Sequence, residues 1–214
     1  HQLQLNRILK KKILNCINLL TGFFQKKNDA LFVNTYLSKK NEILLSFKFS
    51  QFPMFHIDNF LDNLDIKVEK EKRKWKLDET NHNEFEAFAR SIIPKQIPTI
   101  YLEGYNFLSK KVSSFSWPNK PKFIFTSSSF LNDDLFKLYA AQKTESGSPL
   151  VISQHGGGYG SFLHCFIEEH GYKISDLFLS WGYRDKSEPK IKSVGLIKDK
   201  KPLGIQHGLR NKIL

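Results

Sequence analysis

The segment from Pro149 to Tyr183 reads PLVISQHGGGYGSFLHCFIEEHGYKISDLFLSWGY. Leu150, Val151 and Ile152 form an apolar run with no polar face, the pattern of a strand covered on both sides. The run breaks at once into Gln154-His155-Gly156-Gly157-Gly158. Three consecutive glycines carry no Cβ, so the backbone there can take φ > 0 and bring its N–H groups close to a ligand or an anion. Downstream, Glu168, Glu169 and His170 precede a second apolar run, Leu177-Phe178-Leu179, which breaks at Trp181-Gly182-Tyr183. Two strands therefore deliver small and polar residues to one edge.

Working upstream, Phe123-Ile124-Phe125-Thr126 reads as a buried strand running into Ser127, Ser128 and Ser129. A helix follows, capped by Asn132 or Asp133, with Leu135, Phe136, Tyr139 and Ala140 facing inward and Gly147 at its end. Strand, helix and strand within about thirty residues make a crossover that sets the two strands parallel. The rhythm continues through Leu177 and, more weakly, Ser193-Val194-Gly195. The fold class is α/β: an open, mostly parallel, Rossmann-like sheet with helices on both faces. Ligands of such sheets bind at the carboxyl ends of the strands, where Ser127–Ser129, Gln154–Gly158 and Ser180–Gly182 would lie.

Further toward the N-terminus, Leu31-Phe32-Val33 reads as a strand ending at Asn34-Thr35-Tyr36, and a helix is expected from Lys39 to Phe49. The stretch from Asp62 to Lys76 crowds charges around a single aromatic, Trp75, as a solvated face does. Glu84 to Ile93 reads as a helix bounded by Pro94 and Pro98, and Ile97 to Tyr105, followed by Phe107 and Leu108, as a short helix feeding a Lys110-Lys111 surface. Leu5, Ile8, Leu9, Ile13, Leu14, Ile17 and Leu20 recur at helical spacing opposite Lys10–Lys12, an amphipathic basic helix. Three regions result: residues 1–29 with that helix, a Rossmann-like domain over 30–198, and 199–214 as a linker or the start of a further domain. The chain reads as a fragment of a longer protein.

Formal net charge is +12, from 33 Lys and Arg against 21 Asp and Glu, but only five of the basic residues are Arg. Bidentate recognition of phosphates and bases favours Arg, so the excess of Lys argues against nucleic acid as partner. Abundant Lys, Asn, Ile and Phe fit compositional drift toward AT-rich codons instead. Cys16 and Cys165 lie far apart and outside any CxxC spacing, which fits a reducing, cytoplasmic compartment and predicts neither zinc nor a disulfide framework. The longest apolar stretch, Ile13 to Phe24, is too short to span a bilayer, though the basic helix would allow peripheral contact with an inner membrane.

One series of motifs is specific in its order: Tyr101-Leu102-Glu103-Gly104-Tyr105, Trp117-Pro118, Thr126–Phe130, Phe136–Ala140, Gln154–Gly160, Glu168-x-His170, and Ile174-Ser175-Asp176 through Trp181-Gly182. Over residues 30–198 it resembles a bacterial family of transferases from O-antigen and surface-polysaccharide gene clusters, similar to GT-B glycosyltransferases. Tyr183 departs from that pattern, where a second aromatic of the Trp type is expected, and nothing from Lys198 to Leu214 matches it. The resemblance implies two Rossmann-like domains across a cleft, with this chain forming most of the acceptor side and a C-terminal domain holding the donor. It further implies a nucleotide-activated sugar as donor substrate, a glycan or lipid-linked acceptor and no separate cofactor. No Asp-x-Asp signature is present, so metal-independent transfer is expected.

Within that frame His155 is the first candidate base, since an imidazole can take a proton from an acceptor hydroxyl near neutral pH. It reads equally as a histidine that bonds a neighbouring loop. Glu168 and His170, two apart on an extended segment, would share one side as an acid/base pair or form a surface ion cluster. Gln154, Gly156, Gly157, Gly158, Ser127, Ser128 and Trp181 are candidates for substrate contact, and Asp176 for orienting the strand that follows it. A silent sugar- or nucleotide-binding module and a basic membrane-associated scaffold are the competing readings.

Overall fold

The computed structural model describes residue 17 and residues 22–54, 65–78 and 83–198. The basic helix expected around Lys10–Lys12, Cys16, and the segment 199–214 lie outside the described residues. Five strands form one sheet in chain order: β1 (Leu31–Val33), β2 (Ile124–Thr126), β3 (Leu150–Ser153), β4 (Leu177–Ser180) and β5 (Ile191–Ser193). Every neighbouring pair is parallel. The helices are α1 (Lys39–Lys48), α2 (Glu84–Gln96), α3 (Tyr105–Ser113), α4 (Ser129–Asn132), α5 (Asp134–Glu145) and α6 (Phe166–Ile174). The α/β class and the parallel β2–α5–β3 unit are as the sequence predicts.

The pleat sorts the strand residues into two layers. Leu31, Val33, Ile124, Leu150, Ile152, Phe178 and Ile191 form the larger core with Leu108 and Val112 of α3 and Leu135, Phe136 and Tyr139 of α5. Strands that follow chain order stack right-handed crossovers on one face, which accounts for this bias. The opposite layer is smaller: Phe32 and Phe125 meet Leu45 of α1, with Val151, Leu179 and Ile197 packed alongside. Phe32 sits edge-on to Phe123 and Phe125, with ring centroids 5.7 and 6.2 Å apart, an arrangement that aromatic quadrupoles favour.

Local sequence sets most boundaries. Asp133 accepts from the Phe136 N–H at 3.0 Å and so starts α5, and Gly147 at φ 88° follows its end, its N–H donating to Thr144. Asp176 orients the strand after it: its carboxylate accepts from the Leu150 N–H at 2.7 Å while its own N–H donates to Leu150 O, fastening the start of β4 to β3. β1 has a free edge, and the Gln51 side-chain amide closes part of it by pairing with both N–H and C=O of Ala30.

Three expectations are corrected. Helix α2 passes through Pro94 to Gln96 rather than stopping before it. The Arg73 guanidinium caps the end beyond it, its Nη1 donating to the carbonyls of Pro94, Lys95 and Ile97. The segment from Ile97 is a single 3₁₀ turn, Thr99–Tyr101, before the backbone leaves helical dihedrals at Leu102 (φ −120°, ψ −76°), and the helix takes in Phe107 and Leu108 but begins only after Gly104. A Cβ there would sit 2.5 Å from Ile66 Cδ1. The last strand comes earlier than Ser193–Gly195, since Gly195 at φ 79° leaves the extended region.

Arg73 also grips Glu103 through Nε and Nη2 at 2.7 and 2.8 Å, with the two side chains only 9% and 1% exposed. The paired guanidinium pulls the Glu103 carboxyl down to about 2. A depressed carboxylate contributes stability that is present above its ordinary range and lost as pH falls toward the folded value. The melting temperature should therefore drop as pH is lowered from about 4.5 toward 2. In Arg73→Met the fold should be weaker at neutral pH and that part of the acid slope should vanish, which a series of melts across pH checks directly.

Candidate functional site

The carboxyl ends of β1 to β4 converge, and buried hydroxyls tie them. Ser127 Oγ donates to Thr35 O at 2.7 Å and lies 2.5 Å from Ser153 Oγ, while the Ser127 N–H reaches Asn34 O. Ser129 Oγ accepts from Asn34 Nδ2 at 2.9 Å. Gln154 is equally committed, with Nε2 on Gly156 O at 2.8 Å and Oε1 accepting the Trp181 N–H at 2.9 Å. Ser127 and Gln154, expected to touch substrate, thus hold the edge together. Ser128 is half-buried and its hydroxyl makes no bond among the described residues.

His155 sits half-buried at the end of β3, the middle strand of five. Its Nδ1 lies 2.7 Å from the Tyr159 hydroxyl, and its ring stands edge-on to Tyr36 and Tyr159 at centroid distances of 6.3 and 5.6 Å. Burial lowers its pKa below the ordinary imidazole value, so the neutral form prevails at physiological pH. Burial likewise raises the Tyr159 phenol, which stays protonated.

From His155 through Gly158 no backbone N–H donates to a protein group among the described residues. Backbone donors normally find partners, so four in succession beside an imidazole make a place for an acceptor from outside. A Cβ at Gly156 or Gly157 would meet nothing within 4 Å, which leaves open space above the loop. Gly158, at φ 91° and against the Phe162 ring, is the turn that needs glycine. Trp181 is half-buried, and its indole N–H is enclosed without a partner among the described residues.

Glu168 and His170 do not form a pair. The expected extended segment is helix α6, and residues two apart on a helix point to roughly opposite sides. Glu168, 6% exposed, turns inward, where its carboxylate accepts the Gly160 N–H at 3.0 and 3.1 Å and the Tyr172 hydroxyl. It anchors the far end of the glycine loop to α6. His170 is exposed, its ring 6.0 Å from Phe130, in an apolar groove of about 880 Å³ between α5 and α6. The groove is lined by Leu150, from the start of β3, and none of its lining residues comes from the His155 loop.

Tyr36 is the residue that sequence reasoning passed over. It faces His155, adopts φ 62° and carries the Lys198 ammonium 5.4 Å from its ring centroid. Its position after a buried strand was a visible signal. Its left-handed backbone was not, since a tyrosine is an unusual occupant of that region. Among the described residues no three His, Cys, Asp or Glu side chains gather as a metal site would require, and no helix is long and apolar enough to cross a membrane.

The sequence profile described as LIC12162 family transferase matches residues 1–214, the full chain. It therefore takes in residues 1–29 and 199–214, which the motif series does not reach. Neither the curated proteins nor the solved structures contain a match.

Two outcomes follow from the geometry. Glu168→Ala removes a buried acceptor from Gly160 and Tyr172, and should cost about 1–3 kcal/mol. Amide exchange should rise first at Gly160, Ser161 and Phe162, the bonded amides of the loop, and unchanged protection there would show that Glu168 does not hold it. A lowered histidine pKa means protonation opposes folding, so stability is complete above the ordinary value of about 6.5 and declines as pH falls below it toward the folded value. His155→Phe should flatten that decline in melts between neutral and mildly acidic pH.

Proposed function

The chain belongs to the LIC12162 family of transferases, and from that premise we propose that it moves a sugar from a nucleotide-activated donor to a glycan or lipid-linked acceptor in bacterial surface-polysaccharide synthesis. The observation that carries this reading is the neutral His155 at the end of the middle strand, beside four backbone N–H groups without protein partners. Sugar transfer needs a base for the acceptor hydroxyl and donors for the charge that grows on the departing phosphate. Both kinds of group stand side by side here.

In this reading the acceptor hydroxyl loses its proton to His155 Nε2 as its oxygen bonds to the anomeric carbon. The bond from that carbon to the phosphate oxygen breaks, and the nucleotide leaves with the electron pair. For Nε2 to accept, Nδ1 must carry hydrogen and donate to the Tyr159 oxygen, a bond that the 2.7 Å separation allows. Tyr36 and Trp181 offer rings for the sugar faces, Ser128 and Gly156–Gly158 offer donors, and Lys198 adds positive charge at the mouth. Ser127, Gln154 and Glu168 act by fixing the loops. Residues 30–198 would form the acceptor-side domain of a GT-B-like enzyme, with donor binding supplied by a further domain and peripheral membrane contact by the basic N-terminal segment.

In the intact enzyme His155→Ala should lower turnover on the order of a hundredfold or more, the scale of losing a general base. Melting temperature and turnover are read on the same preparation. A variant that melts early but keeps normal turnover per folded molecule would mean that His155 is structural, and the proposal would fail. Tyr159→Phe keeps the ring but removes the hydroxyl, and its turnover should fall with a shifted pH profile.

A further inference from the structure

We infer a second ligand site, independent of the strand edge: a basic pocket beside Trp75 that takes a negatively charged saccharide, its charge carried as a phosphate ester or a carboxylate. The pocket lies between the segment 73–76 and the last turn of α2, encloses about 420 Å³, and is lined by Lys74, Trp75, Lys76, Ser91 and Lys95 together with Arg73. That volume falls in the range of small-molecule sites. None of its residues comes from a strand-end loop.

The charge around it is unbalanced in a particular way. Glu69 is taken by Lys72 at 2.8 Å, Glu71 by Lys74 at 2.5 Å, and Glu103 by Arg73. Lys76 and Lys95 line the pocket and have no acidic partner among the described residues. Within the sequence run that reads as a solvated charged face, Glu69 and Glu71 are thus paired, while Lys76 lines the same pocket as Lys95 of α2 without an acidic partner among the described residues.

The walls are also held before any ligand arrives. Arg73 joins the 70–76 segment to Glu103 and to three carbonyls at the end of α2, so the lysines on both sides keep a fixed separation of their backbones. Preorganised walls lower the ordering cost of binding. Trp75 is 38% exposed, which leaves part of the indole open for a ring to lie against. Ammonium groups donate to hydroxyls and to anionic oxygens alike. The neutral polar side-chain groups in the lining are the Ser91 hydroxyl, which donates to Phe88 O, and the Trp75 indole N–H, so the lining side chains offer donors to an anion and its hydroxyls but no amide or carboxylate pair of the kind that reads a nucleobase edge. An anionic sugar fits those donors and that single ring.

The test is calorimetric titration of the full chain with glucose 1-phosphate, a galacturonate trisaccharide, neutral glucose, inorganic phosphate and uridine monophosphate. At least one charged saccharide should bind saturably and more tightly than glucose or inorganic phosphate, and which one binds identifies the source of the charge. Lys76→Ala with Lys95→Ala should weaken that binding by about tenfold or more, and so should Trp75→Ala. Because both lysines are exposed, the lysine pair keeps the test decisive if Trp75→Ala fails to fold. His155→Ala should leave the affinity unchanged, which separates this site from the proposed catalytic one. Absence of saturable binding, equal affinity for inorganic phosphate, tighter binding of uridine monophosphate that the lysine pair variant weakens, or loss of saccharide binding in His155→Ala would each overturn the inference.

Discussion

Short parallel strands diverge as the sheet twists, and their carboxyl ends stay in register here because one hydroxyl spans three of them. Ser127 Oγ bonds the chain leaving β1 at Thr35 and the last residue of β3 at Ser153, and all three residues are fully buried. Gln154 extends the tie to β4 through the Trp181 N–H. Buried polar groups are tolerated only when satisfied, and these satisfy one another. The surface on which His155, Tyr36 and the glycine loop meet depends on that arrangement. Without it, three- and four-residue strands would have little to hold their ends together.

The fold was legible where burial dictates composition. Leu150–Ile152 and Phe123–Thr126 lack a polar face because both sheet faces are covered, and the residues that cap α5 and follow its end were visible as Asp133 and Gly147. Legibility failed where a distant side chain changed the local rule. Pro94 reads as a stop, yet α2 finishes beyond it, its end capped by Arg73, twenty-one residues away. Gly104 carries no sign in the sequence of its constraint, which is that a Cβ would meet Ile66. Both depend on chain segments brought together only by folding.

The candidate site divides along the same line. His155 and the glycine loop could be located from the strand that precedes them. The roles of Glu168 and His170 could not, because two-residue spacing means one side in a strand and opposite sides in a helix, and the short stretch Phe166–Ile174 carries both patterns. Ser127 and Gln154 share the edge with His155, and their side chains are engaged in bonds inside the fold. Polar residues at strand ends are ambiguous for this reason: twist creates a need for ties where ligands also bind.

Tyr36 carries the argument furthest. A tyrosine in the left-handed region costs about 1–3 kcal/mol and persists only when its surroundings leave no alternative. They are fixed on both sides: Asn34 is bonded to Ser129 and Ser127, Thr35 Oγ1 donates to Glu42 at 2.6 Å, and the Leu37 N–H returns to Thr35 Oγ1. Those bonds would hold the loop with glycine at position 36 at less cost. The strained choice has one evident consequence, which is to set an aromatic ring against His155 with a lysine beyond it. Packing alone does not call for that, since Tyr36 is only half-buried and joins neither core. A ring held at a cost beside a neutral imidazole, near backbone donors without protein partners among the described residues, is what the proposed sugar site would need and what the sheet by itself does not.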